Sequence, residues 1–214
     1  RDLSSNDYLG LASSPELAAA ARHALARGVP IGSGGSRLLR GNHEEHEALE
    51  TEAANFFCSQ SALFFSSGYA ANCAVVSTLP QSGDLIIYDE LVHASTREGL
   101  RLSRANSISA RHNDLDHFEG LARVGRHKHA GGRLWFVVES LYSMDGDQAP
   151  LLDLATIAAR FDGFLIIDEA HATGVFGQHG RGLTQSLQDQ ENVVVIRTCG
   201  KALGCEGALV CAPS

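Results

Sequence analysis

The chain has 214 residues, 44% hydrophobic and 20% charged, which is enough apolar material for a sizeable core and argues against disorder. Its 25 acidic against 17 basic residues give a formal net charge of −8, which disfavours a nucleic acid or an anionic membrane surface as partner. No apolar run is long enough to span a bilayer, and five cysteines without a CxxC pair fit neither a disulfide scaffold nor a zinc site, so a reducing, cytoplasmic setting is expected.

In chain order, Ser14-Pro15-Glu16 supplies an N-cap, a first-turn proline and an early acid, and the helix they open is expected to close at Gly28. Gly32-Ser-Gly-Gly-Ser36, with Arg37 and Arg40 behind it, reads either as a flexible linker or as an anion-binding loop. His43-Glu-Glu-His46 is one residue short of the HExxH zinc-protease spacing. Its histidines are expected to be solvated on a helix that Asn42 caps and that Leu49, Ala53 and Phe56 pack. Short apolar runs then recur at 63–65, 85–88, 134–138, 164–167, 193–196 and 208–211. Continuous runs of this kind suit strands covered on both faces. Helices are expected between them from Gly68 to Leu79, from Asn113-Asp114 onward with Leu115, Phe118 and Leu121 inward, and from Pro150 to Phe161.

This alternation predicts an α/β fold with a mainly parallel sheet, helices on both faces and right-handed crossovers. Only about ten residues separate the last two runs, too few for a crossover helix, so the final strand is expected to be antiparallel. The chain opens at Arg1 and stops at Ser214 just past a strand-like run, and both ends are expected to continue in a longer protein.

Lysine is scarce. Two of the 17 basic residues are lysines: Lys128, in what reads as the solvated loop Arg126-His-Lys-His129, and Lys201, in Thr198-Cys-Gly-Lys-Ala-Leu-Gly204 directly after a buried strand. A surface charge explains the first well and the second poorly. Other polar groups collect just past the strands: Ser67-Gly68-Tyr69, then Asp89 and His93, Glu139 and Ser143, Asp168 and His171, and Thr198. Ligands of open α/β sheets bind at that edge. Asp168 ends Phe-Leu-Ile-Ile-Asp and is expected to be desolvated; it reads as a structural buried acid or, beside Lys201, as the partner of a pyridinium nitrogen. Gly68 opens a helix after a strand, which is a ready phosphate site but a common junction. Asp168-Glu-Ala-His171 also spells a DEAH box. A nucleic-acid-dependent ATPase would need GxxxxGK[ST] upstream of it, and the chain has no such loop.

Taken together, Ser4-Ser-Asn-Asp-Tyr-Leu-Gly-Leu11, Gly32-Ser-Gly-Gly-Ser-Arg37, Ser67-Gly-Tyr-Ala-Ala-Asn72, His93-Ala-Ser95, His112-Asn-Asp114, Ser143-Met-Asp-Gly-Asp147, Asp168-Glu-Ala-His-Ala-Thr-Gly174 and Thr198-Cys-Gly-Lys201 resemble the α-oxoamine synthases. The resemblance implies a fold-type-I large domain at 31–214, with 1–30 leading into it and a smaller C-terminal domain beyond this chain. It implies the cofactor pyridoxal 5'-phosphate and the decarboxylative condensation of an amino acid with an acyl thioester. The segments 145–151 and 168–174 look most like the branch of biotin synthesis that joins alanine to a pimeloyl thioester; sister branches use glycine or serine. By the same resemblance Lys201 carries the cofactor and acts as base, Asp168 pairs with the pyridine nitrogen, and His171 and Ser143 serve the phenolic oxygen. His93 stacks on the ring, Gly68, Tyr69 and Thr198 hold the phosphate, and Asn6 lies near the substrate carboxylate. A homodimer with shared active sites is also implied.

Overall fold

A computed structural model describes residues 4–129 and 131–213. Its centre is a seven-stranded sheet made of β1 (Ser61–Phe65), β2 (Leu85–Asp89), β3 (Asn106–Ala110), β4 (Leu134–Glu139), β5 (Phe164–Asp168), β6 (Val193–Thr198) and β7 (Ala208–Ala212), in the spatial order β1-β7-β6-β5-β4-β2-β3. β3, β2, β4, β5 and β6 pair parallel, while β7 runs antiparallel to both β6 and β1. The expected antiparallel last strand is therefore present, inserted between two strands that point the same way.

Helices α1 (Pro15–Ala26), α2 (Glu44–Phe57), α3 (Gly68–Thr78), α4 (Ala94–Leu102), α5 (Leu115–Lys128) and α6 (Leu151–Arg160) precede, link and flank the strands. Successive strand residues point to opposite faces, and here both faces are covered. Ile87, Phe136, Ile167 and Val195 enter one core with Phe57, Phe118 and Leu154 from α2, α5 and α6. Ile86, Val137, Ile166 and Ile196 enter the other with Ala71, Val76 and Leu100 from α3 and α4. Burial on both sides is why the strands read as unbroken apolar runs.

The helix ends follow local chemistry. Ser14 Oγ accepts from Leu17 N–H at the start of α1, and Gly28 takes φ +85° beyond its end. Asp114 caps α5 by accepting from His117 N–H. Several details differ from expectation. His43, not Asn42, caps α2, its Nδ1 accepting from Glu45 N–H, while Asn42 binds Arg37 and Glu47. The inward face of α2 is Ala53 and Phe57, and Leu49 and Phe56 are exposed. Residues 126–128 form the last turn of α5 rather than a loop, with Lys128 exposed. No helix among the described residues is long and apolar enough to cross a membrane.

Candidate active site

The carboxyl ends of β4, β5 and β6 and the start of α3 enclose one cleft. Gly68, Tyr69, His93, Asp168, His171, Thr198 and Lys201 all line it. Seven candidate residues spread over more than 130 positions of sequence thus meet at one place.

Lys201 enters on the short segment 199–207 that turns from β6 into β7, held by Cys199 N–H bonding to Gly207 O and Cys205 N–H to Cys199 O. Its Nζ lies 2.6 Å from His171 Nε2. Burial draws the ammonium below its ordinary pKa, against the opposing charges of Asp168 and Glu139. Burial and then the Lys201 charge push His171 down to about 4, so this imidazole is neutral at physiological pH. A neutral ring that accepts from the ammonium at Nε2 keeps its proton on Nδ1, which faces Tyr8 Oη at 2.6 Å. The Tyr8 hydroxyl in turn donates to Asn6 Oδ1 at 3.2 Å. The chemistry of the donors therefore fixes a direction for the line Lys201, His171, Tyr8, Asn6. The N-terminal segment is tied to the cleft by it.

Asp168 closes the floor. Its Oδ2 accepts from Asn72 Nδ2 at 2.7 Å and its Oδ1 from Ala170 N–H at 2.9 Å. Asn72 comes from α3 and also donates to Ser95 Oγ, which sits 2.7 Å from His93 Nδ1. Glu139 stands across from Asp168 on the neighbouring strand. Burial, and then the Asp168 charge, raise the Glu139 carboxyl to about 8, so Glu139 is a carboxylic acid at neutral pH. Asp84, before β2 at the opposite edge, provides the contrast. It is bonded by Gln81 N–H, Arg133 N–H and Trp135 Nε1, as expected of a buried acid with a structural task. Asp168 has two donors and a face on the cleft.

At the other end, Ser67 caps α3 through Ala70 N–H, and the first two residues of the helix, Gly68 and Tyr69, line the cleft. A Cβ at position 68 would stand 3.2 Å from Thr198 Oγ1, so glycine keeps that corner open. Ser143 does not line the cleft itself. It is exposed and lies in an adjoining hollow, lined also by Tyr8, that shares His171 with the cleft. Arg37, a candidate anion donor, is committed instead to Glu50, Asn42 and Phe64 O. Its planar donor set is used up inside the chain.

Three site contacts were not expected. Tyr8, Asn72 and Ser95 sit two, four and two residues beyond Asn6, Gly68 and His93, inside motifs already singled out, but only the folded chain shows what they touch. Below the floor, Arg197 and Glu169 form a fully buried ion pair. Arg197 also reaches Thr184 Oγ1 and Arg181 O, and its guanidinium lies 4.1 Å from the centre of the Phe57 ring. Thr198 Oγ1 and Arg197 thus occupy opposite faces of the strand that delivers Lys201.

An amine of lowered basicity, a carboxyl group on the floor and a helix start at the far corner fit pyridoxal phosphate, whose phosphate would find room at Gly68. The fold and these groups define a fold-type-I pyridoxal-phosphate protein. The sequence model of the family "Aminotransferase class I and II" matches residues 1–214. Among curated proteins, 8-amino-7-oxononanoate synthase of Emericella nidulans is 43% identical over 98% of this chain and 54% of its own length. 8-amino-7-oxononanoate synthase 2 of Bacillus subtilis is 43% identical over 95% of this chain and 51% of its own. Among solved structures, serine palmitoyltransferase of Sphingomonas wittichii superposes with a TM-score of 0.89 at 33% identity, covering 97% of this chain and 51% of that one. 8-amino-7-oxononanoate synthase of Francisella tularensis superposes with a TM-score of 0.81 at 32% identity, covering 100% and 58%. The chain belongs to the aminotransferase class I and II family, and within it to the α-oxoamine synthases. It spans about half the length of the curated relatives it matches.

Proposed function

We propose that this chain carries the cofactor-binding part of a cytoplasmic C-acyltransferase that condenses L-alanine with a pimeloyl thioester, releasing carbon dioxide and giving 8-amino-7-oxononanoate for biotin synthesis. The observation that carries the reading is the pairing of Lys201 and Asp168 at adjacent strand ends in one cleft. The named relatives at 43% identity support the choice of branch.

When bound, pyridoxal phosphate supplies an electron sink for the substrate's α-carbon. The chain's own residues do the rest. Lys201 holds the cofactor, and its amine, kept less basic than usual by burial, accepts the α-proton. Asp168, oriented by Asn72, keeps a positive charge in place at the ring nitrogen. His171 stays neutral, so it orients Lys201 without adding a competing cation, and with Ser143 it serves the phenolic oxygen. The α3 start with Gly68, Tyr69 and Thr198 takes the phosphate. His93 covers the ring, and Asn6, positioned by Tyr8, meets the substrate carboxylate.

Two copies share the work in this reading. Ile31, just before the 32–41 segment, and Leu38 and Leu39 within it are at least 90% exposed, which suits burial against a second chain. The deciding experiment reduces the holoprotein with borohydride and maps the label, then assays alanine, glycine and serine against pimeloyl, acetyl, succinyl and palmitoyl thioesters. Label on Lys201 and turnover with alanine plus the pimeloyl thioester are expected. Label on Lys128 would refute the site, and a preference for serine with the palmitoyl thioester would move the chain to the branch of its structural neighbour.

A further inference from the structure

His112, just past β3, is held by an acid on each side. Its Nδ1 lies 2.9 Å from Asp89 Oδ1 and its Nε2 2.8 Å from Asp147 Oδ2. A carboxylate can only accept, so both contacts are hydrogen bonds only when both ring nitrogens carry protons. The two acids belong to different parts of the fold. Asp89 ends β2 and is fully buried. Asp147 lies in the 140–149 turn between β4 and α6, the turn that carries Ser143 beside the cleft. That turn closes on itself through Tyr142 N–H to Asp147 O and Ala149 N–H to Ser140 O. His112 and Asn113, whose Nδ2 donates to Asp147 Oδ2 at 2.8 Å, tie it to the sheet.

We propose that His112 is a cationic fastener, a positioning residue that as an imidazolium clamps the Ser143 turn to the end of β2 and so sets one wall of the cofactor site. The proposal rests on the reading of Ser143 and His171 as that wall. The groups that face the imidazole are consistent with it. Asp89 and Asp147 are bonded to the ring, Asn113 Nδ2 lies 3.2 Å from its Nε2, Glu90 accepts from the His112 backbone N–H, and the Tyr142 ring meets the imidazole edge-on at 4.5 Å. From the α5 side, Asp114 is occupied by Arg111. Burial disfavours the charge, but the two carboxylates outweigh it and hold His112 above its ordinary 6.5. The sign follows. A raised folded-state pKa gives a contribution that is complete below the unfolded value and is lost as pH rises through the folded one. Deprotonation then removes one of the two bonds, and the turn loosens on the alkaline side.

The test uses the holoenzyme. Imidazole ¹⁵N resonances should show both His112 nitrogens protonated at pH 7. Backbone amides of 140–149 should exchange at least roughly tenfold faster in H112Q than in the parent, the loss expected for one charge-assisted bond. In the parent, after correction for intrinsic exchange, protection of these amides should fall as His112 titrates. D147N keeps an acceptor for Nε2–H without its charge, so the fall should begin at lower pH, together with the alkaline change in the cofactor's visible absorbance. A neutral His112 at pH 7, unchanged exchange in H112Q, or no shift in D147N would overturn the proposal. If H112Q does not fold, the parent titration and D147N decide alone. A fastened turn in a protein that takes up no pyridoxal phosphate would leave the fastener standing and defeat the functional reading instead.

Discussion

Replacing Arg197 by methionine leaves Glu169 without its cation in a place where neither side chain touches solvent. Methionine fills much of the same volume, so the loss is electrostatic rather than a cavity. Thr184 still offers Glu169 its N–H and its hydroxyl, at 2.7 Å each, but neither neutralises the charge. Breaking one side of a buried pair costs about 3–5 kcal/mol. For a domain of this size each kcal/mol is worth roughly 2–4 °C, so Tm should fall by roughly 6–20 °C. The assay is thermal and urea unfolding followed by circular dichroism, with cofactor retention measured in parallel, since Arg197 immediately precedes Thr198 on the strand that leads to Lys201. The partner variant Glu169→Leu and the double variant complete a cycle. The double variant should recover most of the loss, because two apolar side chains leave no orphaned charge. An R197M protein within about 2 °C of the parent, or a double variant no better than the single, would show that the pair does not support this region.

Asp168→Asn should keep the fold and the Asn72 contact while lowering turnover roughly hundredfold or more, since an amide cannot hold a positive charge at the ring nitrogen; near-parental kcat would make the carboxylate structural. Glu139→Gln bears on pH. Because the Glu139 carboxyl is raised from 4.5 to about 8, the folded chain binds the extra proton across that interval and the parent loses stability as pH climbs through it. The stability of the E139Q variant relative to the parent should therefore grow from pH 4.5 to about 8 and then level off, and a gap independent of pH would contradict it. Mixed dimers of a Lys201→Ala chain and a chain carrying Leu38→Asp with Arg40→Ala, each inactive alone, should regain activity at one of two sites. No recovery after demonstrated subunit exchange would confine the 32–41 loop to its own chain.

What the sequence made legible follows from burial. The central strands β2, β4, β5, β6 and β7 announce themselves because both of their faces are covered, which makes most of their side chains apolar, and the edge strand β1 is legible through Leu63-Phe-Phe65. β3 does not, because Asn106-Ser-Ile-Ser-Ala110 is an edge strand with four exposed residues. α4 was missed for a related reason, since its nine residues are mostly polar and only Ser95, Thr96, Gly99 and Leu100 are buried. In α2 the larger Leu49 and Phe56 point to one edge of a broad apolar side and Ala53 and Phe57 to the other, and periodicity alone does not fix which edge turns inward. The strand-end residues of the site were legible because the topology of a parallel sheet puts them on one edge. The fate of Arg37 was not. Whether an arginine waits for a ligand or is satisfied by Glu50, thirteen residues away, depends on how α2 lies against the loop.

The antiparallel β7 has a further consequence for how the protein comes to exist. Among the described residues β1 has one sheet partner, β7, and Ser61 meets Ala212 across 151 positions of sequence. On a ribosome adding about 5–20 residues per second, β1 and the start of α3 must wait on the order of 10 s for that partner to be made. The hydrogen-bonding edge of β1 stays open during that time, when a nascent chain is most prone to pair with a stranger. Docking of β7 both ends that exposure and brings Gly68 against Thr198. Among the described residues, the corner assigned to the phosphate is therefore one of the last parts to form, and a chain stalled before β7 would have Lys201 without the neighbour that completes that corner.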